Sequence, residues 1–255
     1  MLPILICNPN CTVAMTDGLR PLLEPFIASS VLPPPTFFTA PKGIPSINND
    51  QDCHESAEIV LPYLTCPIFN DEPSETLLST HSAVLIACYS VHPLVSKLKA
   101  LTSRPVIGIF EASVVASLSL LAGSPHAKFG IVTTGAVWDG ILSTGVRDLL
   151  GASDSARFAG VATTGLNATE LHDAPADEVK KRLKEATVRL IRKASEGGKG
   201  KLSAVCLGCA GMAGMDETVR EACVQELGEE EGSRVHIVDG VKAGYALLEG
   251  MVRSA

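Results

Sequence analysis

The chain has 255 residues, of which 46% are hydrophobic and 19% charged, with a formal net charge of −7. That is enough apolar material for one large domain or two lobes, and the charge content is too low for disorder. The negative balance and the lack of a basic cluster argue against nucleic acid as a partner. The most apolar long stretch, Pro105 to Gly123, is broken by Glu111 and several serines, which fits a strand and a buried helix better than a membrane span.

Short apolar runs alternate with helical patterns, which predicts an α/β fold of mostly parallel sheets flanked by helices. The first expected strand, Pro3–Cys7, runs into the polar loop Asn8-Pro-Asn-Cys-Thr12, where Thr or Asn can cap a helix over Val13–Ser29. Pro33-Pro-Pro35 is a stiff connector to a strand at Thr36–Thr39, and a helix over Asp52–Tyr63 follows. A strand at Ala83–Ala87 ends on Cys88, a helix covers Pro93–Leu101, and a strand at Val106–Phe110 leads into Glu111 and a helix over Ala112–Ala122.

A second series has strands at Lys128–Val132, Phe158–Val161, Ala204–Leu207 and Val235–Val238, with helices over Val137–Leu149, Ala176–Ala194, Asp216–Glu226 and Val241–Arg253. In the long helix Val179, Leu183, Ala186, Leu190, Ile191 and Ala194 make one apolar stripe, and the Lys, Arg and Glu residues opposite form a solvated face. Gly197–Lys201 is expected as a flexible turn and Gly228–Ser233 as an exposed loop. The expected division is a first lobe over residues 1–115 with part of the C-terminal segment, a second over about 116–235, and a C-terminal helix at about 241–253 that packs back.

The two halves echo each other. Ser82-Ala-Val-Leu-Ile-Ala-Cys88 and Ser203-Ala-Val-Cys-Leu-Gly-Cys209 both start as Ser-Ala-Val and end on a small residue and a thiol. The same interval separates Thr12 from Thr133, and Val106–Glu111 parallels Val235–Asp239 as an apolar run ending in a carboxylate. Two pseudo-symmetric lobes with an active cleft between them follow as an expectation. Ligands of open α/β sheets bind at the carboxyl ends of strands, so Cys88 and Cys209 are placed to face one substrate carbon from opposite sides.

Such a pair suits racemisation: a thiolate removes the proton next to a carbonyl and a thiol returns one to the other face. Helix starts after each thiol would favour its anion. For the other features two readings stay open. Asn8–Thr12 and Thr133-Thr134-Gly135 are either substrate-binding loops or plain turns and caps. Glu111 and Asp239 either orient a ligand amide or cap helices, and His92 either tunes Cys88 or merely starts a helix. Cys206-Leu-Gly-Cys209 raises a metal or dithiol site, against which Cys206 lies inside the strand run. The remaining cysteines are small buried hydrophobes, with Cys7 and Cys11 flanking the first loop. The N-terminal Met1-Leu-Pro-Ile-Leu-Ile has no basic leader and too short an apolar run for a signal peptide, so a cytoplasmic protein with reduced cysteines is expected.

At these residues the sequence resembles the Asp/Glu/hydantoin racemase superfamily, most closely its hydantoin/allantoin racemase-like branch. The signals are Asn8-Pro-Asn10 with Thr12, Ala87-Cys88, Pro105-Val-Ile-Gly-Ile109 with Glu111-Ala112, Val132-Thr-Thr-Gly135 and Leu207-Gly-Cys-Ala-Gly-Met212, and the segment 88–93 looks like fungal members. The resemblance implies flavodoxin-like lobes, racemisation or epimerisation with no cofactor and no metal, and a homo-oligomer acting on a small molecule. It makes Cys88 and Cys209 the acid/base pair. It gives substrate contacts to Asn10 and Thr12, to Tyr89, Ser90, Gly208, Ala210 and Gly211 around the thiols, and to Glu111, Thr133 and Thr134. Many members of the branch carry an acidic residue soon after the first catalytic Cys, where this chain has Tyr89-Ser-Val-His92. Five-membered cyclic ureides are the expected substrates. The alternatives are Asp/Glu-type amino acids, a dicarboxylate isomerase or decarboxylase, and a silent small-molecule binder.

Overall fold

The computed structural model describes residues 1–67, 75–198 and 200–254, so that Lys199 of the expected Gly197–Lys201 turn lies outside the described residues. Two four-stranded sheets follow each other along the chain. The first contains β1 (Ile4–Asn8), β2 (Thr36–Thr39), β3 (Ala83–Ile86) and β4 (Val106–Gly108) in the order β2-β1-β3-β4. The second contains β5 (Ala127–Thr133), β6 (Phe158–Thr163), β7 (Lys201–Gly208) and β8 (His236–Asp239) in the equivalent order β6-β5-β7-β8. All pairings are parallel. This is the flavodoxin-like strand order that the resemblance implies, with four strands in each sheet among the described residues.

In the first series α1 (Val13–Asp17) and α2 (Arg20–Ile27) follow β1, α3 (Asp50–Thr65) follows β2, α4 (Pro93–Lys99) follows β3 and α5 (Ile109–Leu120) follows β4. In the second, α6 (Trp138–Leu150) follows β5, α7 (Glu170–Asp173) and α8 (Ala176–Ser195) follow β6, α9 (Asp216–Leu227) and α10 (Glu229–Gly232) follow β7, and α11 (Gly240–Ser254) follows β8. One compact unit comprises Met1–Ala112 with the segment from Val241, and the other Ser113–Gly240.

Every residue of β1 and β3 is buried, because parallel strands covered on both faces need apolar side chains at every position. In the first unit Leu5, Cys7, Val84 and Ile86 pack on Ala57, Val60 and Leu64 of α3 and on Leu94 and Leu98 of α4. In the second, the predicted stripe of α8 is the buried one. α8 lies close on β5 because residue 130 is glycine: a Cβ there would meet the Leu190 side chain at 2.6 Å.

Some boundaries differ from expectation for local reasons. The helix expected over Val13–Ser29 is two helices, because Gly18 ends α1 and Pro21, with no N–H to donate, suits the first turn of α2. The strand expected over Val106–Phe110 stops at Gly108, and Ile109 and Phe110 open α5. A continuous apolar run has no period that separates strand from buried helix. The loop expected at Gly228–Ser233 contains the single turn α10.

Phe129 of β5 is fully buried and packs on Phe158 of β6 with ring centroids 5.2 Å apart. Phe129→Ala is expected to lower stability by about 3–5 kcal/mol in urea unfolding. A loss below about 1 kcal/mol would show that this layer is not a packed core.

Candidate active site

In a doubly wound sheet the crevice for a ligand opens where the chain leaves one strand to one side and its neighbour to the other. In the first unit that point lies at the carboxyl ends of β1 and β3, and in the second at those of β5 and β7. The segments beyond those strand ends are Asn8–Thr12 and Cys88–Ser90 in the first, and Thr134-Gly135 and Cys209–Met212 in the second. These hold all the expected site residues except Glu111 and the terminal strand residues Thr133 and Gly208.

Asn8, expected only as part of the Asn8–Thr12 loop, organises that loop. It is buried; its Oδ1 accepts the Asn10 N–H at 3.2 Å, and its Nδ2 donates to Asn10 Oδ1 at 3.0 Å and Thr16 Oγ1 at 2.9 Å. Asn10 Oδ1 also accepts the Thr12 N–H at 2.9 Å, while Asn10 Nδ2 faces, among the described residues, the weak acceptor Met15 Sδ at 3.3 Å. Thr12 is the N-cap residue of α1, yet its hydroxyl donates to the Pro45 carbonyl at 2.7 Å instead of capping the helix. Asn10 thus keeps an amide donor for a ligand, and Thr12 keeps hydroxyl lone pairs.

Cys88 is partly exposed two residues beyond β3, with its Sγ 3.3 Å from the Ser90 hydroxyl. α4 begins at Pro93, where the helix was expected, five residues beyond this sulfur. Contacts with Cys88 and, to a smaller extent, Ser90 hold the pKa of the buried Cys53 thiol of α3 below its ordinary value. Tyr89 packs edge-on against Phe110 at 5.7 Å. His92 caps α4, accepting the Leu94 N–H on Nδ1 at 3.3 Å, and burial lowers its pKa to about 4. It is therefore neutral near pH 7 and supplies no cation to Cys88.

In the second unit Thr133 is the last residue of β5, paired with Gly208 of β7, and its hydroxyl donates to the Gly208 carbonyl at 2.6 Å. Its counterpart in the first sheet is the strand end at Asn8 and not Thr12, so the equal sequence spacing of the two threonines is not a structural equivalence. Thr134 is buried, and its carbonyl accepts the Gly165 N–H at 3.0 Å. Gly208 is required by packing: a Cβ there would lie 2.7 Å from both the Val132 carbonyl oxygen and Thr133 Cβ.

Cys209 caps the short 3-10 turn Ala210–Met212, with the Gly211 N–H donating to its Sγ at 3.3 Å. The thiol is partly open to solvent, but the protein mass around it pushes its pKa up to about 11, against smaller opposite effects of the Gly211 and Met212 amides. Desolvation therefore outweighs the turn, and Cys209 rests protonated near neutral pH.

Glu111 and Asp239 are not equivalent either. Asp239 ends β8, whereas Glu111 sits in the first turn of α5. Glu111 Oε2 is buried without a hydrogen-bond partner among the described residues, and burial pushes the carboxyl pKa up. Cys206 is buried in β7, 3.1 Å from Ser117 Oγ, and no three His, Cys, Asp or Glu side chains among the described residues gather as a metal site. No helix among the described residues is long and apolar enough to cross a membrane.

The family profile described as Asp/Glu/hydantoin racemase matches residues 4–248. An uncharacterized protein of Schizosaccharomyces pombe is 34% identical over 99% of this chain and 93% of its own length. A hydantoin racemase of Pseudomonas sp. (strain NS671) is 28% identical over 98% of this chain and 85% of its own length. Among solved structures, the allantoin racemase from Pseudomonas fluorescens superposes with a TM-score of 0.73 at 26% identity, covering 99% of this chain and 92% of that one.

Two outcomes follow from this geometry. Gly208→Ala forces the backbone of β5 or β7 to shift and is expected to cost about 1–3 kcal/mol in thermal unfolding, with a changed alkylation rate at the adjacent Cys209. Wild-type values for both would remove Gly208 as a packing constraint. His92 ordinarily titrates near 6.5 but is held at about 4 in the fold, so the unfolded chain takes up its proton first. Stability is complete above about pH 6.5 and falls as the pH drops toward 4, by up to about 3 kcal/mol. His92→Asn, which keeps an acceptor for Leu94, should flatten urea-unfolding stability across that window; an unchanged slope would locate it elsewhere.

Proposed function

The chain belongs to the Asp/Glu/hydantoin racemase family and is a racemase, and on that premise we propose that it inverts 5-substituted hydantoins or allantoin by two-thiol proton transfer. The proton on a carbon next to a carbonyl is weakly acidic, so its removal needs a placed base and support for the developing enolate. Cys88 as thiolate takes that proton, and Cys209 as thiol delivers one to the opposite face. For the other enantiomer the roles reverse. One proton leaves and one arrives, so the step balances without a redox partner or cofactor.

The observation that carries this reading is that the segment beyond the second strand of each switch-point pair carries a partly exposed thiol, Cys88 beyond β3 and Cys209 beyond β7. The raised pKa of Cys209 suits the acid that the first half of the cycle needs. Once Cys209 has given up its proton, the Gly211 and Met212 amides that face its sulfur stabilise the thiolate. Asn10 Nδ2 and backbone amides beside the thiols would hold carbonyl oxygens, while Thr12 would accept from a ring N–H.

A cyclic ureide is favoured over a free amino acid because the segments 8–12, 88–92, 133–135 and 208–212 contain no Lys or Arg. An α-carboxylate buried there would lack a cation, at a cost that a neutral ring does not carry. Homo-oligomeric assembly and a cytoplasmic location belong to the same proposal.

The test is proton NMR of solvent exchange in D2O with single enantiomers of 5-substituted hydantoins, allantoin, aspartate and glutamate. Wild-type enzyme should exchange the ureide proton above the enzyme-free rate, with loss of optical purity. Cys88→Ser and Cys209→Ser should each lower racemisation by at least about a thousandfold, the scale on which positioned acid–base groups act. Full activity in either variant sinks the role of that thiol. Exchange on aspartate or glutamate alone sinks the ureide assignment.

A further inference from the structure

Residues 43–45, beyond β2, lie against the 8–12 loop as a strap, and each of their three consecutive carbonyls is occupied. The Ile44 carbonyl accepts the Cys11 N–H at 3.0 Å, the Gly43 carbonyl accepts the Cys11 thiol at 3.3 Å, and the Pro45 carbonyl accepts the Thr12 hydroxyl at 2.7 Å. The turn into the strap needs glycine: residue 43 has φ +112°, and a Cβ there would meet Ile59 Cδ1 of α3 at 2.9 Å. The far end is anchored as well. Asn48 Nδ2 donates to the Ser46 carbonyl at 2.9 Å, and the Asn48 N–H donates to Asp52 Oδ2 of α3 at 2.8 Å.

These bonds fix the polarity of two side chains. A carbonyl can only accept, so the single hydroxyl proton of Thr12 is committed to Pro45, and toward a ligand Thr12 Oγ1 acts as an acceptor. A backbone N–H can only donate, so the Thr12 N–H fixes which end of the Asn10 amide is oxygen and leaves Nδ2, set against a weak acceptor, as the donor. One loop therefore offers a donor and an acceptor that cannot exchange roles.

We propose that the 43–45 strap determines specificity: by holding Thr12 as an acceptor only, it selects a ligand edge on which an N–H stands beside a carbonyl. The inference rests on the ureide reading of the site. In a 5-substituted hydantoin the edge is N3–H beside the C4 carbonyl. C4 is bonded to the reacting carbon C5, so its oxygen takes up the enolate charge, and that is where the Asn10 amide proton acts. Thr12 Oγ1 then accepts N3–H. A carboxylate offers acceptors alone and would leave the Thr12 oxygen unpaired.

The probe is 5,5-dimethylhydantoin, which has no proton on C5 and cannot racemise, compared by titration calorimetry with its N1-methyl and N3-methyl derivatives on the intact chain. N3-methylation is expected to weaken binding at least about tenfold and N1-methylation by less than about threefold. Thr12→Val separates a lost hydrogen bond from a methyl clash, because it keeps the shape and removes the acceptor. It should weaken the N3–H ligand about tenfold and leave the N3-methyl ligand unchanged, while Thr12→Ser keeps the wild-type pattern. Gly43→Ala tests the strap itself: in the folded protein it should shrink the N3–H preference at least about threefold, and Ile59→Ala in the same chain should restore part of it. No binding of the parent hydantoin, equal binding of the N3–H and N3-methyl ligands, or a Thr12→Val loss shared by both overturns the inference. So does an unchanged preference in folded Gly43→Ala. The readout is binding, so an N3–H preference in a chain that racemises no ureide supports the strap while the racemase reading fails. Racemisation of a 5-monosubstituted N3-methylhydantoin as fast as its parent leaves that reading intact and overturns the strap.

Discussion

Parallel pairing of β1 with β3, and of β5 with β7, is the constraint from which both half-sites follow. Each pair joins strands whose onward connections run to opposite sides of the sheet, so the backbone parts just beyond the hydrogen-bonded ladder. Register then decides what stands at the opening. Cys7 opposite Ile86 puts Asn8 beside the approach to Cys88, and Thr133 opposite Gly208 puts a hydroxyl on the carbonyl that precedes Cys209. A shift of one residue would turn the thiols and their neighbours to the other face of the sheet.

Within this common plan the two sulfurs are held by different means. Cys209 caps a tight turn and meets backbone amides, which cannot be removed by substitution and which stay put when its charge changes. Cys88 meets the side chain of Ser90, a hydroxyl that can both give and accept. A half-site built from amides resists drift in sequence. One built from side chains can be retuned by single substitutions, and the same substitutions can damage it.

The strands were legible because parallel, two-faced burial demands unbroken runs of Val, Ile, Leu and Ala, and the chain carries them where the sheets have them. The two thiols were legible because their matched contexts fall at matched strand ends. Other inferences from spacing failed for a definite reason: equal separation in sequence is not equal register. Thr12 lies beyond β1 and Thr133 within β5, and Glu111 belongs to a helix while Asp239 ends a strand. Asn8 was legible only as part of its loop, because its role lies in the bonds it makes to Asn10 and Thr16. The turn at Ala210–Met212 explains in addition why a glycine-rich stretch does not simply favour an anion: the amides are present, but the surrounding protein outweighs them.

The first unit is not continuous in sequence, since it takes in the segment from Val241. α11 supplies Tyr245, fully buried and edge-on to Phe26 at 6.0 Å, and Gly244, whose missing side chain leaves room for Leu85 of β3. Chains are synthesised from the amino end, so β1 to β4 emerge first and are completed last. The second unit, made of one uninterrupted stretch, has every strand it needs before α11 exists. During that interval the β3 region, with Leu85 just ahead of Cys88, lacks the helix that finally covers it. Order of synthesis and order of completion are thus reversed.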